Sequence, residues 1–250
     1  MTRRRWLADE ATGNTAALIG DHAVHLARVL RAEIGQEFDI ATGTEVRCGT
    51  ITSISDDRVE FMLGEERGAK LTSVKSAPKI ILALAIFKFD RMEWAFEKCT
   101  ELGVARIIPV ITRRSDTHLA TAAAKRHERW QRIVRQAAEQ SRGSAPPEIS
   151  APIKLKELIG GGVLPADAGT RVVLAESLAR TEDARLGDVL RSQRLPSEVM
   201  LAVGPEGGWA DEELACFRER GWAAASLGDT ILRAETAAIV ATALALEALC

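Results

Sequence analysis

Three short apolar runs break off into loops along the second half of the chain: RVVLAES (171–177), EVMLAVG (198–204) and AAASLG (223–228). Helix-like stretches follow them, near 183–191, 211–220 and 233–249. The same alternation starts earlier. KIILALAIFK (79–88) is a continuous apolar run, as expected of a strand buried on both faces. DRMEWAFEKCTELG (90–103) places Met92, Ala95, Phe96, Cys99 and Leu102 at helical spacing, with Gly103 as a stop. RIIPVIT (106–112) reads as a strand whose Pro109 argues for an edge or an end. AAAKRHERWQRIVRQAAEQSRG (122–143) reads as a long basic helix. Strand alternating with helix specifies an α/β domain with a mainly parallel sheet. Ligands of such sheets sit beyond the carboxyl ends of the strands.

The front of the chain is different. VRCGTITSI (46–54) and RVEFMLG (58–64) are rich in β-branched residues, and Asp56-Asp57 signals the turn between them. DHAVHLARVLRAEIG (21–35) carries a helical stripe, with Gly35 as its stop. Gly64 to Ser76 is polar and irregular, which places the boundary there: a small β-rich module at 1–72 and the α/β domain at 73–250. The chain has 250 residues, 46% of them apolar, enough for one large or two small cores. No apolar stretch approaches the roughly 18 residues of a membrane span. The three arginines at 3–5 are followed by acids rather than an apolar segment, so export is not expected. Cys48, Cys99, Cys216 and Cys250 are scattered without a CxxC pair, which suits a reduced, cytoplasmic protein with no metal cluster. His22 and His25 lie three apart on a helix face, but other ligands are missing nearby. The net charge is −2, yet 79–142 holds thirteen Lys or Arg against seven Asp or Glu, so a neutral total leaves room for a basic face.

The loop Gly204-Pro205-Glu206-Gly207-Gly208 lies between strand and helix, the layout of a phosphate site. It has neither GxxxxGK[ST] nor GxGxxG spacing, and Glu206 would repel a polyphosphate. A carboxylate among glycines suits a ligand with positive charge or with ribose hydroxyls. S-adenosylmethionine carries both and no phosphate, although charge alone does not select it; a structural turn with Glu206 in water is the plain alternative. In SLGDTILRAETA (226–237), Gly228 turns the chain and Ile231-Leu232 can wall an adenine. Arg233, Glu235 and Thr236 open the last helix. That helix is apolar nearly all round, the pattern of a buried helix, within one subunit or in a dimer interface. Ala175-Glu176-Ser177 ends a third strand on the same side.

GPEGGWADEEL and LGDTILRAETAAI, with EKCTELGVARIIPVITRRS, RWQRIVRQAAEQSRGSAPPEI and HLARVLRAEIGQEF, resemble the RsmE family over nearly the whole chain. These are SPOUT-class methyltransferases of uridine N3 in 16S ribosomal RNA. The resemblance implies a PUA-like β-barrel at the front, assisting RNA binding, and an α/β SPOUT domain with a C-terminal trefoil knot. It implies S-adenosylmethionine bound in the knotted loops, by Leu174, Ala175 and Glu176, by Val203, Gly204, Pro205, Glu206, Gly207 and Gly208, and by Leu227, Gly228, Ile231, Leu232, Arg233 and Thr236. A homodimer through the knotted domain would grip the small ribosomal subunit's RNA. No metal is needed. Two positions depart from the family. Ala210 stands where a capping Ser is usual, which leaves Glu213 without that partner and Asp211 as a substitute cap. Asp229-Thr230 stands where Pro-Arg is usual.

The chemistry needs the N3 proton removed and the resulting charge stabilised. Arg233 is the leading stabiliser, and Glu235 or Glu206 the proton acceptor. Arg113, Arg114, Gln140 and Arg142, with Arg28 and Arg31 from the front module and Arg3 to Arg5 as a basic arm, are the candidate RNA contacts. The alternatives are another SPOUT enzyme, acting on a ribose 2′-hydroxyl or a guanine, and a ribosome-associated RNA-binding protein without catalysis.

Overall fold

The structure is a computed structural model that describes residues 5–43, 45–66, 79–141, 143, 145–160, 169–175, 184–192 and 198–249. The chain divides into two compact units, 1–75 with 135–146, and 76–134 with 147–250.

The first unit is built on a six-stranded sheet. Its strands are β1 (Arg5–Leu7), β2 (Glu10–Thr12), β3 (Thr15–Ile19), β4 (Glu37–Ala41), β5 (Val46–Ile54) and β6 (Arg58–Glu66), in the order β1-β4-β5-β6-β3-β2. All pairings are antiparallel except β1 with β4. The alternation expected of a half-buried strand is clear in β6, where Val59, Phe61 and Leu63 point inward between exposed neighbours. They pack with Trp6, Leu18, Leu26, Ile40 and Ile51. The Asp56-Asp57 turn is closed by the Ser55 N–H donating to the Arg58 carbonyl at 2.8 Å.

Three expectations for this unit need correction. The strand β6 runs to Glu66, so Gly64–Glu66 is sheet rather than irregular chain; 67–78 lie outside the described residues. The helix at 21–35 is only Asp21–Val24 followed by a π-helical stretch, His25–Val29. Wide i→i+5 bonding, with the Leu30 N–H on the His25 carbonyl at 3.0 Å, replaces the α ladder. Arg31, at φ 52°, then leaves the helical region four residues before Gly35. Arg5 is no loose arm: it belongs to β1, in register with Asp39. Arg3 and Arg4 lie outside the described residues.

Residues 135–146 bring two charges into this unit. Arg135 donates to the Leu7 carbonyl at 2.7 Å and its Nη1 lies 2.8 Å from Asp9 Oδ1. His22 sits between Asp9, at 3.9 Å, and the buried Glu139, at 3.7 Å. Burial alone would raise the Asp9 carboxyl, but hydrogen bonds from His22 and the Ile19 N–H, with the Arg135 charge, hold it below the usual carboxylate range.

The second unit holds β7 (Lys79–Ala85), β8 (Arg106–Ile111), β9 (Glu148–Ile149), β10 (Ile153–Lys154), β11 (Thr170–Leu174), β12 (Glu198–Val203) and β13 (Ala223–Ala225). The order is β10-β8-β7-β12-β11-β13, with β9 also on β8, and every pairing is parallel. Side chains of β7 alternate between two cores. Ile80, Leu82 and Leu84 join Phe96, Trp130 and the last helix, Ala234–Leu249; Ile81 and Ala83 join Leu158, Trp209 and Phe217. Burial on both faces is why the run carries no polar alternation.

Pro109 is not at an edge, because β8 pairs on both sides. Its outer partner is split, however. The short β9 pairs with Arg106 and Ile107, and β10 with Val110 and Ile111. Pro109 falls in the gap between them, where no ladder donor is required of it. The basic helix is also interrupted. Asp116 caps Thr117–Ala123 by accepting the His118 and Leu119 N–H groups, a 3₁₀ turn covers Ala124–Arg126, and His127–Gln140 follows. Part of its charge is neutralised by Glu93, which accepts from Arg126 at 3.3 Å and Arg129 at 2.9 Å. No helix among the described residues is long and apolar enough to cross a membrane.

Candidate active site

A cleft of about 320 Å³ opens at the carboxyl ends of β11, β12 and β13, the place where a parallel sheet presents its ligand site. Leu174 and Ala175 enter it from β11. Val203, Gly204, Pro205, Glu206 and Gly208 enter from β12 and its loop. Leu227, Ile231 and Leu232 come from the loop after β13. Ten of the residues named from sequence as cofactor contacts therefore line one space.

Trp209 organises the glycine loop. Its Nε1–H donates to the Leu174 carbonyl at 3.0 Å, tying the loop after β12 to the end of β11. The ring is buried and stands edge-on to Phe217 at 4.8 Å. A Cβ on Gly204 would sit 3.2 Å from this indole, so close packing, and not backbone freedom, keeps a glycine there. Gly208 is a glycine for the other reason: its φ is 68°, and its N–H closes a turn onto the Pro205 carbonyl at 2.8 Å.

The other residues named from sequence fall elsewhere. Gly207 gives its carbonyl to Arg114 Nη1 at 2.7 Å. Gly228 is left-handed, at φ 144°, behind Leu227. Arg233 is exposed, Thr236 is half-buried, and neither is a wall of the cleft. Glu235 is buried in the first turn of the last helix, between the wall residues Ala234 and Ala237. Glu176 and Arg142 lie outside the described residues. Gln140 ends its helix exposed, and Arg31 is exposed. Arg28 pairs with Asp56 at 2.9 Å on the surface.

The two arginines after β8 are not free basic residues. Arg114 lines the cleft and fastens the glycine loop. Arg113 pairs with Glu212, and its N–H donates to Glu213 Oε1 at 2.7 Å. This corrects the expectation for Glu213, which is not left unpartnered. Its second oxygen accepts the Ala210 N–H at 2.9 Å, so one half of a capping box survives without the Ser. Asp211 is the first helical residue and Ala210 the cap position, so Asp211 does not cap. Asp229 has found a cation, Arg185, at 2.9 Å, in an exposed pair.

Sequence reading did not find Trp209, Leu214, Ser226 or Arg91. Trp209 is legible in principle, as the one large ring directly after the glycines. Arg91, on helix Phe89–Glu101, approaches Glu206 Oε1 at 4.0 Å and Glu235 Oε1 at 3.8 Å, contacts over more than a hundred residues that no local pattern announces.

The wall chemistry suits S-adenosylmethionine. Apolar residues from β12 and the loop after β13 can sandwich a purine, and Glu206 offers acceptors for hydroxyls or a counter-charge. Arg114 is the one cation among the described residues that line the cleft, too few for a polyphosphate. The parallel sheet and its cleft lie within residues 74–246, which match the family model described as an RNA methyltransferase domain. The relatives narrow the class. Ribosomal RNA small subunit methyltransferase E of Mycobacterium tuberculosis is 31% identical over 92% of this chain and 85% of its own length. That of Synechocystis is 37% identical over 66% of this chain and 52% of its own. The crystal structure of ribosomal RNA small subunit methyltransferase E from Neisseria gonorrhoeae bound to S-adenosyl methionine matches with a TM-score of 0.80 at 31% identity, over 97% of this chain and 96% of that one. The chain belongs to the ribosomal RNA small subunit methyltransferase E family.

Proposed function

We propose that this protein methylates N3 of a uridine in 16S ribosomal RNA, using S-adenosylmethionine bound in the cleft at the ends of β11, β12 and β13. The observation that carries the reading is the convergence of three strand-end loops on one largely apolar space with a carboxylate in its wall. When bound, S-adenosylmethionine supplies an electrophilic methyl on a sulfonium. The protein contributes position and proton handling. Glu206 or Glu235 would take the N3 proton on a carboxylate oxygen, and Arg233 would face the charge developing on the base. Leu174, Ala175, Val203, Leu227, Ile231 and Leu232 exclude water around the transferred group.

The finer architecture is part of the same proposal. The loops of the second unit form a trefoil knot; in support, the sheet runs β7-β12-β11-β13, yet the helix after β13 packs back on β7 and β12. The six-stranded unit is a PUA-like barrel, supported by its largely antiparallel order around one apolar core. A homodimer forms through the last helix. Ile239, Leu244 and Leu246 there are only half-buried within one chain. Arg28, Arg31, Arg113, Arg114, Gln140 and Arg142 contact RNA, Arg114 from the cleft wall. The protein works in the cytoplasm.

Titration calorimetry tests the site. S-adenosylmethionine binds at one site per chain, and ATP and NAD give no heat. Binding of ATP or NAD in preference to S-adenosylmethionine overturns the reading.

A further inference from the structure

Two acidic side chains from different elements meet one cation beside the cleft. Glu206 is on the loop after β12, with its side chain 41% exposed; Glu235 is in the first turn of the last helix, at 7%. Arg91 reaches both, with Nη1 4.0 Å from Glu206 and Nε 3.8 Å from Glu235. One oxygen of Glu235, Oε2, is buried with no hydrogen-bond partner among the described residues. A buried carboxylate is costly unless a counter-charge attends it. Arg91 supplies that counter-charge, and among the described residues the same guanidinium is the one cation within 4.0 Å of Glu206.

We propose that Arg91 is a positioning residue of the cleft: anchored on Glu235, its guanidinium fixes Glu206 toward the bound cofactor. Three points support this. Glu206 stands on a glycine loop whose other fastenings, Trp209 to Leu174 and Arg114 to Gly207, act on its neighbours and not on its carboxylate. The two Arg91 contacts are longer than hydrogen bonds, so they orient charge without consuming the acceptor capacity of Glu206. The three groups together carry a net charge of −1, which matches a ligand whose sulfonium and ammonium outweigh its single carboxylate by one charge. The inference rests on the cofactor assignment made above.

The test is a double-mutant cycle read by calorimetric titration with S-adenosylmethionine in the absence of RNA. Arg91→Gln raises the dissociation constant about fivefold when Glu206 is present, the upper end for a pair this exposed. The same change moves it less than about twofold in the Glu206→Gln background. Arg91→Lys recovers most of the affinity, since it keeps the charge, and serves as the folded control; circular dichroism checks the fold of every variant. Equal losses in both backgrounds mean a structural role and overturn the proposal, as does no loss for Arg91→Gln. A parent protein that binds no S-adenosylmethionine overturns the cofactor assignment, and the inference falls with it.

Discussion

Gly204→Ala tests whether the cleft depends on the indole that ties its loops together. The added methyl would sit 3.2 Å from Trp209 Cε2 and Nε1, and 3.5 Å from Cδ1. That is tighter than van der Waals contact by a few tenths of an ångström. Phe217 stands edge-on to the indole at 4.8 Å, and the ring is only 6% exposed. The indole must therefore tilt away, and tilting stretches its 3.0 Å bond to the Leu174 carbonyl. Crowding a packed interior by one methyl costs about 1 kcal/mol or more, and a weakened hydrogen bond adds about 0.5 kcal/mol. A total of about 1.5 kcal/mol lowers the melting midpoint by about 3–6 °C. Because Leu174 and Trp209 both line the cleft, affinity for S-adenosylmethionine falls as well. Differential scanning calorimetry and cofactor titration read the two effects. Trp209→Phe, which makes room, renders the double variant's loss smaller than the sum of the singles. A Gly204→Ala protein that melts within about 1 °C of the parent and binds cofactor normally refutes the reasoning.

Ala210 is an N-cap position in extended geometry with no side-chain acceptor, so Ala210→Ser stabilises the second unit by about 0.5–1 kcal/mol, seen as a higher denaturant midpoint. Asp9 is held below its ordinary value of 3.8. Its contribution to the first unit is full above that value and is lost as pH falls through the lower folded value. Acid titration of unfolding checks this, since Asp9→Asn flattens the loss below about pH 4. Burial pushes the Cys99 thiol up to about 11, against a weaker opposing hydrogen bond from Thr242, whereas Cys216 is exposed. Brief iodoacetamide treatment therefore labels Cys216 and spares Cys99 in the folded protein, as mass spectrometry of the peptides would report.

Much of the second unit was legible because a strand buried on both faces and an amphipathic helix write their periods directly into sequence. KIILALAIFK and DRMEWAFEKCTELG became β7 and helix Phe89–Glu101 with small shifts at the ends. The three loops were legible as a site because strands of a parallel sheet all end on one side. What was lost was of a different kind. Pro109 misled because the break in its outer partner lies forty residues further along the chain. The partners of Arg113 and Arg114 were not legible, because Glu212, Glu213 and the Gly207 carbonyl arrive from the loop and helix after β12. The Arg91 contacts are hidden from local sequence for the same reason. The π-helical end of the first helix has no compositional mark, since Val24 to Leu30 satisfies a helical stripe equally well in either register.

The measurement that bears most directly on the central claim is the identity of the methylated nucleoside. Small ribosomal subunits from cells lacking this activity are incubated with the protein and labelled S-adenosylmethionine, and their RNA is digested and separated. Label is expected in 3-methyluridine and is lost in a folded Arg233→Ala variant. Label in a 2′-O-methylated ribose or in a guanine, or none at all under conditions where the cofactor binds, would contradict it.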